Sequence, residues 1–542
     1  MKINDYSKSR EEYLRACKVI PSGIYGHQGP AEGCYTPVEA WPLFSSRAQG
    51  SYFWDVDGNR MIDYMCGYGP NVLGYHDPDV DAAAAKQRQL EDCVTIPSTK
   101  MIDFAELLVE TVASADWAFF AKNGNDVTTL AVMTARAYTH RKKIVFFKGY
   151  YHGVSPWTQK MDYSGVLEED VMHSLYVEWN DFDALAELFD RYKGQIAAVI
   201  GQPYMHGNFK DNELPADGYW QKVRKLCTDE GAVLIVDDVR AGWRLDLQGS
   251  DHYFGFEADL ICFCKALANG YNVSALCGKA FLKNTVSGIS YTGSYWLSAV
   301  PFAAGIACVE KMKKLDLPKI LNEKGKKLGD GLIAAGQKYG FDLHVSGMPS
   351  LFYLRLADDP SLMLHQEWIA ECVKRGVFFT THHNHFITTP SRTRTSPRRL
   401  LWRRRRSPSS GSGTPKIEFL GGITRWSPWH SVSKPCGRSR TSAALPCPPL
   451  WAFPKTRRRN LRPDGRRLPR TSRKNWRSFS ASPWPTFGAR STSVRRARAP
   501  GWSGLTPRRH LLPRRRPGVP PLRWWSNPPA VGRRTAPCST LC

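Results

Sequence analysis

Acidic residues almost vanish from the last part of this 542-residue sequence. Residues 388–542 hold two acids, Glu418 and Asp464, against 36 Lys and Arg, of which 32 are Arg. The formal net charge of +26 is therefore an average over two unlike polypeptides. The first 387 residues carry 39 basic and 47 acidic groups and are mildly acidic, while residues 388–542 stand at +34. For the larger part this excludes a uniformly basic surface of the kind that wraps nucleic acid or anionic membranes. Long apolar runs are missing too: none approaches the roughly 18 residues that mark a membrane-spanning helix. The polar start MKINDYSKSREEYLRACKVI has no signal-peptide apolar region. The 14 cysteines lack a framework spacing, Cys262-x-Cys264 is not a usual zinc pair, and several sit in apolar runs as free buried thiols do. No disulfide scaffold and no metal site are expected. The expectation is a soluble cytoplasmic protein with no membrane partner.

What is present is alternation. Phe104 to Val112 reads as a helix, Trp117 to Ala121 as a strand, Val127 to Tyr138 as an amphipathic helix and Ile144 to Phe147 as a strand. Ile196 to Ile200 is a further strand, Tyr219 to Asp229 a helix and Ala232 to Val236 a strand. Continuous apolar strands separated by helices predict an α/β fold whose mostly parallel sheet is covered on both faces. Ligands of such sheets bind beyond the carboxyl ends of the strands. Ahead of this block, residues 47–80 read as a small sheet with a hairpin turn at Asp57-Gly58 and a helix opening at Pro78. After it, Phe302 to Lys314 is helical and Ser350 to Leu356 is a strand. This gives four parts: residues 1–70 joining a small domain, a large domain over 71–312, a partial α+β small domain over 313–387, and a tail over 388–542.

The tail holds 23 of the 37 prolines and keeps neither helical nor strand period. One reading is a disordered arginine-rich arm that binds nucleic acid through phosphate contacts and tryptophan stacking at Trp524 and Trp525. The composition fits better with a GC-rich coding region translated out of frame. It is rich in Arg, Pro, Ser and Trp, nearly free of acids, and begins within a domain. Nucleic acid is therefore not the expected partner.

Chemistry gathers at four places. In 259-DLICFCKALANGY-271, Lys265 follows an apolar strand. Loss of hydration there lowers an amine's pKa and makes it a nucleophile toward carbonyls. The alternative is a strand-end lysine reaching for solvent. In 234-LIVDDVRAGWR-244, Asp237 ends the preceding strand, where it would pair with a protonated pyridine nitrogen or cap a helix. The stretch 122-KNGNDVTTLAVMTARAYT-139 follows a strand and opens a helix, a place where backbone N–H groups hold phosphate. In 149-GYYHGVS-155 an aromatic side chain is set to stack on a flat ring.

In this order the four pieces resemble the class-III pyridoxal-phosphate aminotransferases of fold type I, and most closely enzymes similar to glutamate-1-semialdehyde aminomutase. The stretches 53-FWDVDGNRMIDY-64 and 67-GYGPNVLGYHDP-78 match that family's N-terminal pattern, and the resemblance runs from about residue 15 to residue 386. It implies a fold type I transferase, a large domain plus a smaller one whose C-terminal part is missing or aberrant here. It also implies that Lys265 is the Schiff-base lysine. Asp237 would hold the pyridine nitrogen, and Val239 and Tyr151 would cover the two ring faces, with His152 beside them in the Tyr-His-Gly motif. Gly124 and Asn125 would offer amides to the phosphate; the family's threonine that caps the phosphate of the partner subunit has no clean match, and Thr292 and Ser294 are the substitutes for it. Tyr25, His27 and Tyr68 match pocket positions, and Arg240 and Arg244 are possible carboxylate clamps. The family's Ser-Gly-Thr-Glu-Ala phosphate loop reads Asn123-Gly124-Asn125-Asp126-Val127 here, so the hydroxyls are lost, and the family's Glu-Pro reads Gln202-Pro203. The implied activity moves an amino group between an amine or amino acid and a carbonyl acceptor, in a homodimer, with pyridoxal 5'-phosphate as cofactor. An aminomutase (an isomerase) or a racemase would use the same residues. A reading from another class is an inactive protein of this fold with a nucleic-acid-binding tail.

Overall fold

The structure, a computed structural model, describes residues 3–21, 23–24, 41–207 and 209–390, together with the paired two-residue strands Arg403–Arg404 and Ile417–Glu418. Apart from residues 388–390 and those two strands, the 388–542 tail lies outside the described residues, as do Tyr25 and His27. The chain opens with α1 (Ser7–Ala16) and three antiparallel strands, β1 (Ser45–Gln49), β2 (Tyr52–Asp55) and β3 (Arg60–Asp63). Asp57-Gly58 makes the β2–β3 turn as predicted, with Gly58 at φ +83° and its N–H donating to the Asp55 carbonyl. Helix α2 (Pro78–Leu90) begins at Pro78, and the Asp77 carboxylate before it accepts from the N–H groups of Asp79 and Val80.

The central sheet then forms from α3 (Lys100–Thr111), β4 (Trp117–Ala121), α4 (Gly124–Thr139), β5 (Lys143–Phe147), a short α5 (Glu168–Val171), β6 (Ser174–Val177), α6 (Phe182–Arg191), β7 (Ile196–Gly201), α7 (Tyr219–Glu230), β8 (Val233–Asp237), a short α8 (Ser250–Tyr253), β9 (Leu260–Phe263) and β10 (Ser274–Gly278). Its order is β4-β10-β9-β8-β7-β5-β6. Strands β5 to β9 pair parallel, and β10 alone runs antiparallel to its two neighbours, β4 and β9. This is the α/β fold with a mostly parallel sheet that the alternation predicted. Successive strand side chains face opposite ways, which splits the core in two. Leu234, Val236, Ile261 and Phe263 join one cluster, and Val233, Ile235, Leu260 and Cys262 join the other together with Val127, Leu130 and Ala131 of α4. Asp237 continues the series 233, 235, 237, so its carboxylate belongs to the α4 side of the sheet.

After a short α9 (Lys283–Ser287), the long helices α10 (Ala299–Leu315) and α11 (Leu317–Lys338) lead to β11 (Leu343–Met348), β12 (Leu351–Leu356), α12 (Met363–Lys374), β13 (Val377–Phe378) and β14 (His385–Phe386). Strands β11, β12 and β14 form one antiparallel sheet. Strand β13 instead pairs parallel with β3, Val377 against Ile62, and completes the N-terminal sheet. Among the described residues no helix is long and apolar enough to cross a membrane.

Candidate active site

The register of β8 against β9 sets Asp237 opposite Cys262, so Lys265 leaves the sheet at the same carboxyl end that carries Asp237. Cys264 is fully extended (φ −159°, ψ −144°), and Lys265 turns at φ +40° into a single 3-10 turn, Lys265–Ala268. A positive φ is uncommon for a residue with a side chain, and such conformations gather at functional sites. Burial, and after it the positive charge of Arg240, lowers the Lys265 amine from the usual lysine range to about 7; the charge of Arg244 adds to this, and Cys264 and Asp237 oppose it. The shift favours the neutral, nucleophilic form of the amine.

Asp237 is buried and accepts a 2.7 Å hydrogen bond at Oδ2 from His152 Nδ1, while its Oδ1 takes the Val239 N–H at 3.2 Å. No helix follows Asp237, so the helix-cap alternative does not apply. Because a carboxylate only accepts, the His152 tautomer is set with the proton on Nδ1. Its Nε2 is buried without a hydrogen-bond partner among the described residues. The loop that carries His152 is tied down by the helix beside it. Asn125 Oδ1 accepts from the N–H groups of Val154 and Ser155, both at 2.9 Å, and from Ser155 Oγ at 3.1 Å; Thr128 Oγ1 donates to the His152 carbonyl at 2.8 Å. Gly153 is required there: its φ is +123°, and a Cβ on it would lie 2.4 Å from Asn125 Oδ1. Gln202 Nε2 donates to the Tyr151 carbonyl at 3.0 Å, and the Tyr151 ring is exposed. The lost phosphate-loop hydroxyl thus has a replacement with another task, since the Asn125 side chain braces the histidine loop.

Gly124 and Asn125 are the first residues of α4, where backbone N–H groups lie outside the intrahelical ladder and the helix dipole is positive. Asp126 Oδ2 accepts from the N–H groups of Lys122 and Asn123 and fixes the turn before them. A Cβ on Gly124 would fall 2.8 Å from Val239 Cγ1, so only glycine lets the helix start approach the residue after Asp237-Asp238. A helix N-terminus, a buried carboxylate and a lysine whose pKa is depressed, at one end of the sheet, fit the phosphate, ring nitrogen and aldehyde of pyridoxal phosphate.

Asp238 faces away from this group into the core, where Ser250 donates to both its oxygens and burial raises its carboxyl to about 7. Arg244 is fully buried and donates to the carbonyls of Gly69 and Arg240, with its guanidinium over the Phe386 ring. These contacts make it a packing element, with its Nε buried and without a hydrogen-bond partner among the described residues. Arg240 is placed differently: its Nη1 donates to Asn384 Oδ1 at 2.8 Å. Tyr68 sits in a left-handed turn (φ +66°), edge-on to His383 at 5.2 Å. Thr292 and Ser294 are both exposed, and the Ser294 carbonyl accepts from the Cys93 thiol at 3.6 Å. Sequence reasoning missed His206, His383 and Asn384. The run Thr381-His382-His383-Asn384-His385 was a visible signal, unusual in its three histidines within four residues.

The sheet topology and this group of residues define an enzyme of the fold type I, pyridoxal-phosphate class. The chain belongs to the class-III aminotransferase family, which residues 35–394 match, and that family works with pyridoxal phosphate. An aminopentol aminotransferase from Sphingopyxis macrogoltabida is 42% identical over 377 residues, which are 69% of this chain and 87% of that protein. The FumI protein of Sphingopyxis sp. MTA144, solved in its PLP internal aldimine form, superposes with a TM-score of 0.70 at 39% identity, over 73% of this chain and 96% of that one. A glutamate-1-semialdehyde aminomutase from Pseudomonas aeruginosa has a TM-score of 0.64 at 20% identity, over 72% and 93% of the two chains; it shares the fold.

Proposed function

We propose that Lys265 and Asp237 are the catalytic pair of an aminotransferase that moves an amino group from a primary amine to a carbonyl acceptor. The observation that carries this reading is the register of β8 on β9, which sets Asp237 opposite Cys262 and brings Lys265, in a positive-φ turn three residues on, out at the same end of the sheet. When bound, pyridoxal phosphate supplies a carbonyl for condensation with amines and a ring that accepts electrons from the substrate's α carbon. Lys265 Nζ is the nucleophile that holds the cofactor until an amine displaces it. Once freed, the same amine would be the base that takes the substrate's α proton. Asp237 keeps a proton on the pyridine nitrogen, and His152 holds the Asp237 carboxylate in place. Gly124 and Asn125 bind phosphate through backbone N–H groups, while Tyr151 and Val239 flank the ring.

Transfer between two molecules is favoured over an aminomutase or racemase by the aminotransferase at 42% identity; the aminomutase at 20% supports the fold alone. That relative's name makes an amino alcohol with several hydroxyls the first donor to try. A cytoplasmic homodimer, with Thr292 reaching the phosphate of the second subunit, completes the proposal. The test is the visible spectrum of the full chain with added pyridoxal phosphate beside Lys265→Ala. A band that forms in the parent, shifts with an amine donor and is absent from the variant supports the assignment. An identical spectrum in both proteins overturns it.

A further inference from the structure

The side-chain amide of Asn125 has one end engaged and one end without a task in the scheme above. Its Oδ1 accepts from the Val154 and Ser155 N–H groups, both at 2.9 Å, and from Ser155 Oγ at 3.1 Å. Two backbone N–H donors can meet only the oxygen of a carboxamide, so these partners settle which way the amide faces. Nδ2 is the other arm of that fixed group. Among the described residues its two N–H groups have no hydrogen-bond partner. Asn125 is the second residue of α4, so this arm belongs to the helix's first turn, with the backbone N–H groups that lie outside the helical ladder.

From this amide a run of hydrogen bonds leads to the other end of the cofactor site. Thr128 Oγ1 lies 3.2 Å from the Asn125 carbonyl and donates to the His152 carbonyl at 2.8 Å. Thr129 Oγ1 lies 3.1 Å from Ser155 Oγ. Helix α4 therefore grips the loop at His152 itself and again at Val154 and Ser155. Between them Gly153, at φ +123°, presses so close to the amide that a Cβ there would lie 2.4 Å from Asn125 Oδ1 and 2.9 Å from its Cβ. The imidazole carried by this loop meets Asp237 at 2.7 Å. One side chain stands between the phosphate end of the site and the pair that faces the ring nitrogen.

Building on the proposed aminotransferase reading, we propose that Asn125 is a positioning residue that couples the two ends of the cofactor site. Its Nδ2 donates to the phosphate, and its Oδ1 holds the loop that sets His152 against Asp237. A carboxamide that donates to an anion becomes a stronger acceptor at its oxygen, because hydrogen bonds in a chain polarise one another. Phosphate at one end therefore tightens the loop bonds at the other. A hydroxyl in this position could donate to phosphate, but its one oxygen could not also accept three loop donors. The coupling is reciprocal: the factor by which phosphate strengthens binding at the ring end is the factor by which the ring strengthens phosphate binding.

The test uses the full chain freed of cofactor, with inorganic phosphate as the anion probe and pyridoxal, which lacks the phosphate, as the probe of the ring end. Calorimetry reads phosphate affinity and absorbance reads capture of pyridoxal, so neither readout needs turnover. In the parent, saturating phosphate tightens pyridoxal binding about fivefold or more. Asn125→Asp keeps an acceptor for the loop and loses the donor. Its phosphate affinity falls about tenfold or more, and the fall persists in roughly 1 M salt, where simple charge repulsion is screened. Asn125→Thr does the reverse: phosphate still binds, and the tightening of pyridoxal is lost. Ser155→Ala removes one loop donor and leaves Nδ2 in place, so it weakens the tightening and spares phosphate affinity even if the Asn125 variants fold poorly. Parental phosphate affinity in Asn125→Asp, or full tightening in Asn125→Thr or Ser155→Ala, overturns the proposal. A parent that forms no band with pyridoxal phosphate contradicts the aminotransferase reading, and the phosphate titration still decides whether Asn125 holds the anion.

Discussion

His152 Nδ1 lies 2.7 Å from Asp237 Oδ2, joining the loop after β5 to the end of β8 across 85 residues of sequence. Both side chains are buried, so the bond is formed away from competing water. Removing the imidazole leaves Asp237 with the Val239 N–H as its one donor among the described residues. His152→Ala is expected to weaken cofactor binding by about 1–3 kcal/mol, roughly ten- to a hundredfold. Absorption titration with pyridoxal phosphate measures this, and an unchanged affinity would place the pair in structure alone.

The Lys265 amine gives a pH prediction with a definite sign. Its folded pKa is depressed, so the neutral form gains as pH rises through about 7. An ordinary lysine would reach that point only near pH 10.4. The rate of cofactor capture should climb between pH 6 and 8 and then level off. In Arg240→Gln a positive neighbour is gone, and the midpoint should move upward. Stopped-flow absorbance across the pH range reads both; a rate still rising steeply at about pH 9 contradicts the assignment.

Gly153→Ala should be among the more damaging changes to this loop. The new Cβ would meet Asn125 Oδ1 at 2.4 Å, and the backbone would keep a φ of +123°. The expected loss is about 2 kcal/mol or more. Asn125→Ala removes three accepted hydrogen bonds and should cost a similar amount. Thermal melts with and without cofactor check both. A change confined to the loaded protein would mean that Asn125 acts on the cofactor and not on the loop.

Arg240 and Arg244 lie four residues apart and should respond differently. Arg244 is enclosed and bonded to carbonyls, so Arg244→Ala should lower stability by about 2–5 kcal/mol through a cavity and an unsatisfied carbonyl. Denaturant unfolding measures that loss. Arg240 is half-buried and bonds the Asn384 side chain, so Arg240→Gln should cost less stability than Arg244→Ala.

Much of the fold was legible because apolar runs such as Ile196–Ile200 and Ala232–Val236 report burial on both faces of a sheet directly. Turn chemistry was equally local: Asp57-Gly58 and Asp77-Pro78 act on their own neighbours, and both elements formed where predicted. The antiparallel entry of β10 between β4 and β9 was not legible, since a buried strand has the same composition in either direction.

The sequence by itself determined that Lys265 and Asp237 end apolar strands, because strand ends follow from local pattern. Only the tertiary structure decided what surrounds them. The His152 contact, the bracing of its loop by Asn125, and the different fates of Arg240 and Arg244 depend on segments far apart in the chain. Pairwise electrostatics and hydrogen bonds act over a few ångströms of space, and no one-dimensional period encodes which distant groups are brought within that range.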